Sequence, residues 1–527
     1  MTYYDYTHPN NWMLIVALSL FILAIILFEF VDKKPYSLIA LFLGSISIFS
    51  YMALAFPFLH VWDEQFHALV AKNLRNHFFY PTLLENPILA YGRSWVDTHL
   101  WLHKQPFFLW QMALSMKIFG VNTFALRLPD ILMASSMTLL IYRIGKILQS
   151  KSLGFYAALL FLTSNFLYQL IPATLNTDHN DMAFIFYISA SFWAWFEYRN
   201  SGNKLWLIAI GLFSGIAILV KWLVGLIVYA GWGISILAQA NKRFKIESYY
   251  DLLKSFVITL FVALPWQLYI LIRFPEVSKY EYALNSLHLY KEVEGHGGAW
   301  NYHFEQWSTH ISNHFEYLIP IAFIVFLFLK IKKEYKIVIL SWIFIVSLFF
   351  SIAITKMPAF TFILSGLFFI LITAPFTQLF QKLLSSRKQA KYVLIFARMG
   401  FFAFIFYLML NVNLIENKPT WKRHLWIKSY REMLCFKAIG EMNLPVNSRF
   451  YNFYFHGAVR FMFHTNFQGR SFLPNEKQIT ILKNKGVPIY VFDNGELPNY
   501  ILNDTSITKI KSSIWHKKQI EDLEFYQ

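Results

Sequence analysis

The chain has 527 residues, of which 57% are apolar, 19% aromatic and only 15% charged, with a formal charge of +17 at pH 7. A composition this apolar exceeds what water-facing globular surfaces tolerate, so a soluble multidomain protein is excluded and a polytopic α-helical membrane protein is expected. The basic residues recur as short clusters between apolar runs, which fits membrane lipids and excludes a nucleic-acid partner, and the single cysteine, Cys435, excludes an intramolecular disulfide framework.

Crossing hydrocarbon takes about 20 apolar residues of helix. The first runs of that kind cover 13 to 31, 37 to 58, 124 to 148, 152 to 171, 180 to 198 and 204 to 220; the next cover 222 to 240, 254 to 273, 316 to 330, 336 to 354, 358 to 379 and 391 to 411. The expectation is about 12 spans. The first run lacks a basic leader and a small-residue cleavage site, so it is expected to remain as a membrane anchor. Every second connector is basic, as in Lys33-Lys34, Lys242-Arg243-Lys245 and Lys330-Lys332-Lys333. Those connectors are expected to face the cytoplasm, which leaves the N-terminus and three long segments outside: 59–123, 274–315 and 412–527. The first two belong to a transmembrane catalytic domain, 1–411. The third, with strand-like "RFYNFYF" and "VPIYVFD" and helix-like "EKQITILKN", reads as a small mixed α/β extracytoplasmic domain.

Titratable residues concentrate on that outer side. "VWDEQFHALVAKNL" places Asp63 and Glu64 at the start of an amphipathic stretch whose Phe66, Leu69, Val70 and Leu74 share one face, as in a helix lying on the membrane surface. Helix capping explains such acids equally well. "TLNTDHNDMAFIF" places Asp178, His179 and Asp181 at the entry to the fifth run, where a carboxylate is costly without a partner, cavity or ion. "WLHKQPFFLW" supplies His103 and Lys104, "TKMPAF" supplies Lys356 in a tight turn, Lys221 lies in another, and His288 lies in the second long loop. His67 joins Asp63 and the Asp178-His179 pair as potential metal ligands, but no HExxH or comparable spacing is present, so neither a metal nor a cofactor is expected. No phosphate loop or dinucleotide fingerprint is present either.

One chemistry uses acids and cations together at the rim of a lipid-facing bundle. A polyprenyl-phosphate sugar carries a leaving group that is already an anion, so no general acid is needed. One carboxylate accepting the acceptor's proton suffices, with fixed cations on the phosphate. Asp63 suits the base role, and Lys104 with Lys356 the phosphate role.

The blocks "WDEQFHALVAKNL", "HKQPFFLWQMALSMKIFGVNTFALRLPD", "TDHNDMAFIFY", "LVKWLVG", "LPWQLYI" and "TKMPAF" resemble, in this order, the GT-C glycosyltransferases related to aminoarabinose transferase and protein O-mannosyltransferases. The resemblance covers about residues 13–411. It implies an inverting transfer of a sugar from a polyprenyl phosphate to a lipid A, glycan or protein acceptor on the outer face of a bacterial cytoplasmic membrane. It also implies that Asp63 is the catalytic acid with Glu64 its neighbour, and Asp178 or Asp181 a second acid. Lys104, beside His103, matches the family's phosphate-binding lysine, and Lys356 the lysine of its KxPxY turn. The chain departs from the family at Gln65, Phe66 and His67, at Phe360 where a tyrosine is usual, and at His288, which stands about where an arginine is expected and joins Lys104, His103 and Lys356 as an expected donor-phosphate ligand; Phe66, His67, His179, Lys221 and Phe360 line the expected donor and acceptor pocket. A secondary transporter is the competing class, but transporter acids lie near the midplane of repeated halves. A non-catalytic scaffold would use the polar tail as its binding module.

Overall fold

The computed structural model describes residues 11–31, 35–174, 179–312, 315–386, 388–416, 423–511 and 525–526. Asp178 lies outside them.

The apolar runs fold as helices because only intrasegment hydrogen bonds satisfy a backbone surrounded by lipid. In chain order the larger ones are α1 (Trp12–Phe30), α2 (Pro35–Leu54), α3 (Asp63–Leu74), α4 (Phe107–Phe119), α5 (Thr123–Leu148) and α6 (Lys151–Phe161). Then follow α7 (His179–Ser201), α8 (Leu205–Lys221), α9 (Ile227–Leu237), α10 (Tyr250–Arg273) and α11 (Pro275–Leu287). The bundle closes with α12 (Leu318–Phe328), α13 (Lys333–Ile352), α14 (Ser365–Ser386) and α15 (Lys391–Met409).

Among the described residues, 8 helical stretches are long and apolar enough to cross a membrane, fewer than the 12 expected. The difference has three local causes. Helices α6 and α12 have 11 residues each, about 17 Å at 1.5 Å per residue, against about 30 Å of hydrocarbon. Helices α8 and α9 are one apolar stretch broken at Trp222, whose φ is 63°. The 3-10 turn that follows lies back on α8, where a Cβ added to Gly225 would stand 2.7 Å from the Ile218 nitrogen. Helix α7 is long, but it carries His179, Asn180, Asp181, Glu197 and Arg199 within 23 residues.

Close helix approach depends on small residues where it is tightest. At the α5–α6 hairpin a Cβ on Gly154 would lie 2.1 Å from the Tyr142 carbonyl. The charged groups at one set of helix ends pair with acids: Arg143 with Glu197, Arg199 with Glu334, Lys204 with Asp251, and Arg398 with Glu29.

After the bundle come α16 (Arg423–Gly440), α17 (Gly457–His464) and α18 (Glu476–Asn484), the last with a capping box between Asn475 and Gln478. Five strands accompany them: β1 (Arg449–Tyr451), β2 (Gln468–Arg470), β3 (Ile489–Asp493), β4 (Ile507–Lys511) and β5 (Phe525–Tyr526). Their order is β2-β1-β3-β4-β5, parallel except for the β4–β5 pair. Both "RFY" and "IYVFD" are therefore strands, and Ile489 to Phe492 are all buried, as in a strand covered on both faces.

This unit packs directly on α3. The Arg460 guanidinium of α17 donates to the Gln65 side chain at 2.7 Å and forms an ion pair with Glu432 at 2.8 Å. The Lys72 ammonium of α3 donates to the Met462 carbonyl at 2.6 Å and to those of Phe463 and Thr465, where a helix C-terminus exposes unpaired acceptors. Every α3 residue except Asp63 and Lys72 is buried. The amphipathic stretch is thus clamped between the bundle and α17 rather than lying on a membrane surface. Its second face is covered by a partner about 390 residues away in the chain, which local periodicity does not report.

Candidate active site

Asp63 and Glu64 occupy the first turn of α3, after Trp62, which provides no side-chain cap. Successive residues of a helix point about 100° apart, so the two carboxylates enter different surroundings. Glu64 turns inward and is 1% exposed. Arg127 of α5 grips it with two bonds, Nε to Oε1 at 2.7 Å and Nη2 to Oε2 at 3.0 Å, and the His60 amide donates to Oε2 at 2.7 Å. Behind them His179 is hydrogen-bonded to Glu64 at 3.2 Å and to Asp130 on its other ring nitrogen. Burial alone would raise the Glu64 carboxyl, but Arg127 and His179 outweigh it and hold the group well below the usual carboxylate range. Arg127 also donates to the carbonyls of Ala53, Phe56 and Phe58, which fastens the end of α2 and the following turn to α5.

Asp63 points the other way. Its carboxylate lies 3.7 Å from the Lys104 ammonium, and both side chains are about one quarter exposed (25% and 26%). A half-solvated pair beyond hydrogen-bonding distance is worth roughly 0–1 kcal/mol, whereas removing one partner of a buried bidentate pair costs about 3–5 kcal/mol. The magnitudes separate the two acids: Glu64 is tied into the scaffold, whereas the contact between Asp63 and Lys104 contributes little to it.

One further cation, Lys221, and one histidine, His288, lie nearby. Lys221, at the end of α8, bonds to Asp181 in the first turn of α7 and lies 4.9 Å from the centre of the Phe360 ring. His288, just after α11, feels the charges of Lys104 and Lys221, and burial followed by Lys104 pushes its imidazole down to about 4. His103 forms a hydrogen bond at 3.1 Å with Glu281 of α11. Phe66 packs on Trp95 and His456, and His67 between Trp101 and Phe108, so both are wall residues behind the site.

Lys356 is placed differently from the expectation. Its side chain folds back on the C-terminus of α13 and donates to the carbonyls of Phe350, Ser351 and Ala353, at 3% exposure. A lysine four residues past a helix end finds free carbonyls and the negative end of the dipole there, which occupies all three of its donors. The turn that carries it is backbone-paired to the second long loop, Thr355 to the His288 carbonyl at 3.1 Å and Lys356 to that of His296 at 2.8 Å.

Sequence reading assigned no role to Arg127, Asp130 or Glu281. For the first two a signal existed: "ALRLPD" places both charges inside an apolar helical run, where each requires a partner. Glu281 sits among the polar residues of "PEVSKYEYALNSL" and carries no comparable mark.

Residues 103–269 match a family model described as dolichyl-phosphate-mannose-protein mannosyltransferase. The structure superposes on ArnT from Cupriavidus metallidurans bound to undecaprenyl phosphate with a TM-score of 0.62, at 14% identity over 90% of this chain and 93% of that one. The chain shares the fold of that protein. That fold also relates it to the archaeal oligosaccharyltransferase AglB from Archaeoglobus fulgidus, solved with an inhibitory peptide and a dolichol-phosphate, at a TM-score of 0.55 and 9% identity over 85% of this chain and 65% of that one. A protein of Aquifex aeolicus described as uncharacterized is 26% identical over 205 residues, and the aligned part spans 38% of either chain. The portion matched by the family model contains Lys104, Arg127, Asp130, Asp181 and Lys221.

Proposed function

We propose that this multi-pass membrane protein is a glycosyltransferase that moves a sugar from a polyprenyl phosphate to a hydroxyl or amine of a lipid A, glycan or protein acceptor. The mannosyltransferase-family match over residues 103–269 and the fold shared with ArnT support the donor class. The observation that carries the reading is the Asp63–Lys104 pair: a part-exposed carboxylate, on a helix fixed beneath by Glu64 and Arg127, and a part-exposed cation 3.7 Å from it.

In this reading the donor phosphate displaces the weak contact of Lys104 with Asp63, and Lys104 then holds the phosphate while Asp63 turns to the acceptor. Asp63 accepts the acceptor's proton as its heteroatom attacks the anomeric carbon. The carbon–oxygen bond to phosphate breaks with its electron pair going to the phosphate, and Lys104 offsets the charge that collects there. Attack opposite the leaving group inverts the anomeric centre. Lys221 with Asp181, His103 and His288 flank the donor, and Glu64 positions Asp63 without touching substrate. Lys356 serves the scaffold instead of the phosphate.

The site is assigned to the extracytoplasmic side, opposite the basic connectors, together with the α/β unit at 412–527. A transporter reading is disfavoured because the acids cluster at helix ends rather than at a midplane. The test is sugar transfer in membranes supplied with a labelled polyprenyl-phosphate sugar. Asp63→Asn is expected to abolish it at normal expression, and substantial retained transfer would overturn the base assignment.

A further inference from the structure

Glu281 is a buried carboxyl, 4% exposed, at the edge of the proposed donor site. Its Oε2 lies 3.1 Å from Nδ1 of His103. The His103 ring is itself fixed, stacked on Trp95 at 4.9 Å and met edge-on by Trp101 at 5.8 Å. Trp95 is held in turn by a bond from its indole nitrogen to Glu294 at 2.9 Å. Glu281 therefore faces a nitrogen that cannot swing aside, one residue from Lys104.

The charged and titratable groups around the pair come from four segments. The 101–106 segment contributes His103 and Lys104, and α3 contributes His67, with Asp63 across Lys104. The loop after α11 contributes His288 and Glu294, and the end of α8 contributes Lys221 beyond His288. In this setting an ionised Glu281 would be a competing counter-ion for Lys104 and would repel a phosphate placed on it. A neutral carboxylic acid does neither, and it satisfies its burial by sharing a proton with His103. Burial pushes the Glu281 carboxyl up to about 7, with Lys104 pulling the other way. Burial, then Lys104, pushes the His103 imidazole well below its ordinary value. The proton of the pair thus belongs to Glu281 rather than to His103, and it is lost as pH rises through about 7.

We propose that Glu281, protonated and hydrogen-bonded to His103, is a positioning residue of the donor site that keeps Lys104 available to the phosphate of a polyprenyl phosphodiester. This rests on the reading of Lys104 as the phosphate ligand. Because the ligand selects the protonated form, its apparent Kd rises as Glu281 ionises, by about tenfold between pH 6 and pH 8 for a group that titrates midway.

The experiment uses the full chain in nanodiscs and the methyl diester of undecaprenyl phosphate, a probe whose single negative charge does not titrate in this range. Its Kd is measured at pH 6, 7 and 8 for the native protein, Glu281→Gln and Lys104→Ala. The expected result is a rise of about tenfold in the native protein, a flat and tight profile for Glu281→Gln, which remains a neutral hydrogen-bond donor, and weak binding at every pH for Lys104→Ala. A Glu281→Gln profile that keeps the native slope overturns the inference while leaving Lys104 in place. Native-like binding by Lys104→Ala overturns the donor-site reading itself. Should Glu281→Gln fail to fold, a native profile that does not weaken from pH 6 to pH 8 overturns the inference on its own.

Discussion

Replacing Arg127 with methionine removes one partner of a fully buried ion pair. The guanidinium donates to both Glu64 oxygens and to the carbonyls of Ala53, Phe56 and Phe58, and neither side chain of the pair is more than 1% exposed. The variant leaves Glu64 ionisable in a dry site with only the His60 amide and His179 for compensation. Breaking such a pair costs about 3–5 kcal/mol, and solvent screening does not reduce it at this depth. Removing both charges costs less, because Glu64→Gln eliminates the uncompensated carboxylate. The double variant Arg127→Met with Glu64→Gln is therefore expected to be more stable than Arg127→Met alone, by about 1–3 kcal/mol of coupling. Thermal unfolding of the purified protein, followed by intrinsic fluorescence in detergent, reads the order of Arg127→Met, Glu64→Gln and the double variant. Transfer activity should fall in all of them through kcat, since Asp63 sits one residue from the displaced group. The reasoning fails if Arg127→Met unfolds at the native temperature, or if adding Glu64→Gln lowers stability further.

Two other outcomes follow from the same geometry. Lys356→Met leaves the last carbonyls of α13 without their ammonium and is expected to lower the unfolding temperature with little change in donor KM; a large KM increase with unchanged stability would return Lys356 to the phosphate site. Cys435 is 1% exposed, and burial, then Glu432, pushes its thiol up to about 12, so alkylation by maleimide at pH 8 should require unfolding; rapid labelling of the folded protein would contradict the packing of α16 against the sheet unit.

The apolar runs, the alternation of basic connectors and the adjacency of Asp63 to Glu64 are properties of the chain itself. A stretch of about 20 apolar residues has few conformations open to it in lipid, so helices near the observed positions were legible without the fold. Local patterning likewise marked "VPIYVFD" as strand-like and "EKQITILKN" as helix-like, and both segments fold that way. Span number was less legible. Breaks such as Trp222 arise where the chain turns back on its own helix, and composition does not mark them.

Which residues carry the site depended on partners far apart in the chain. The sequence by itself determined only that four acids (Asp63, Glu64, Asp178 and Asp181), three lysines (Lys104, Lys221 and Lys356) and several histidines stand beside apolar runs. Only the tertiary structure decided that Glu64 meets Arg127, 63 residues on, while Asp63 meets Lys104, and that Lys356 is occupied by its own helix end. The physical reason is that an ionisable group's role follows from its desolvation and its counter-charge. Both are set by segments that come together only when the bundle and the α/β unit close around α3.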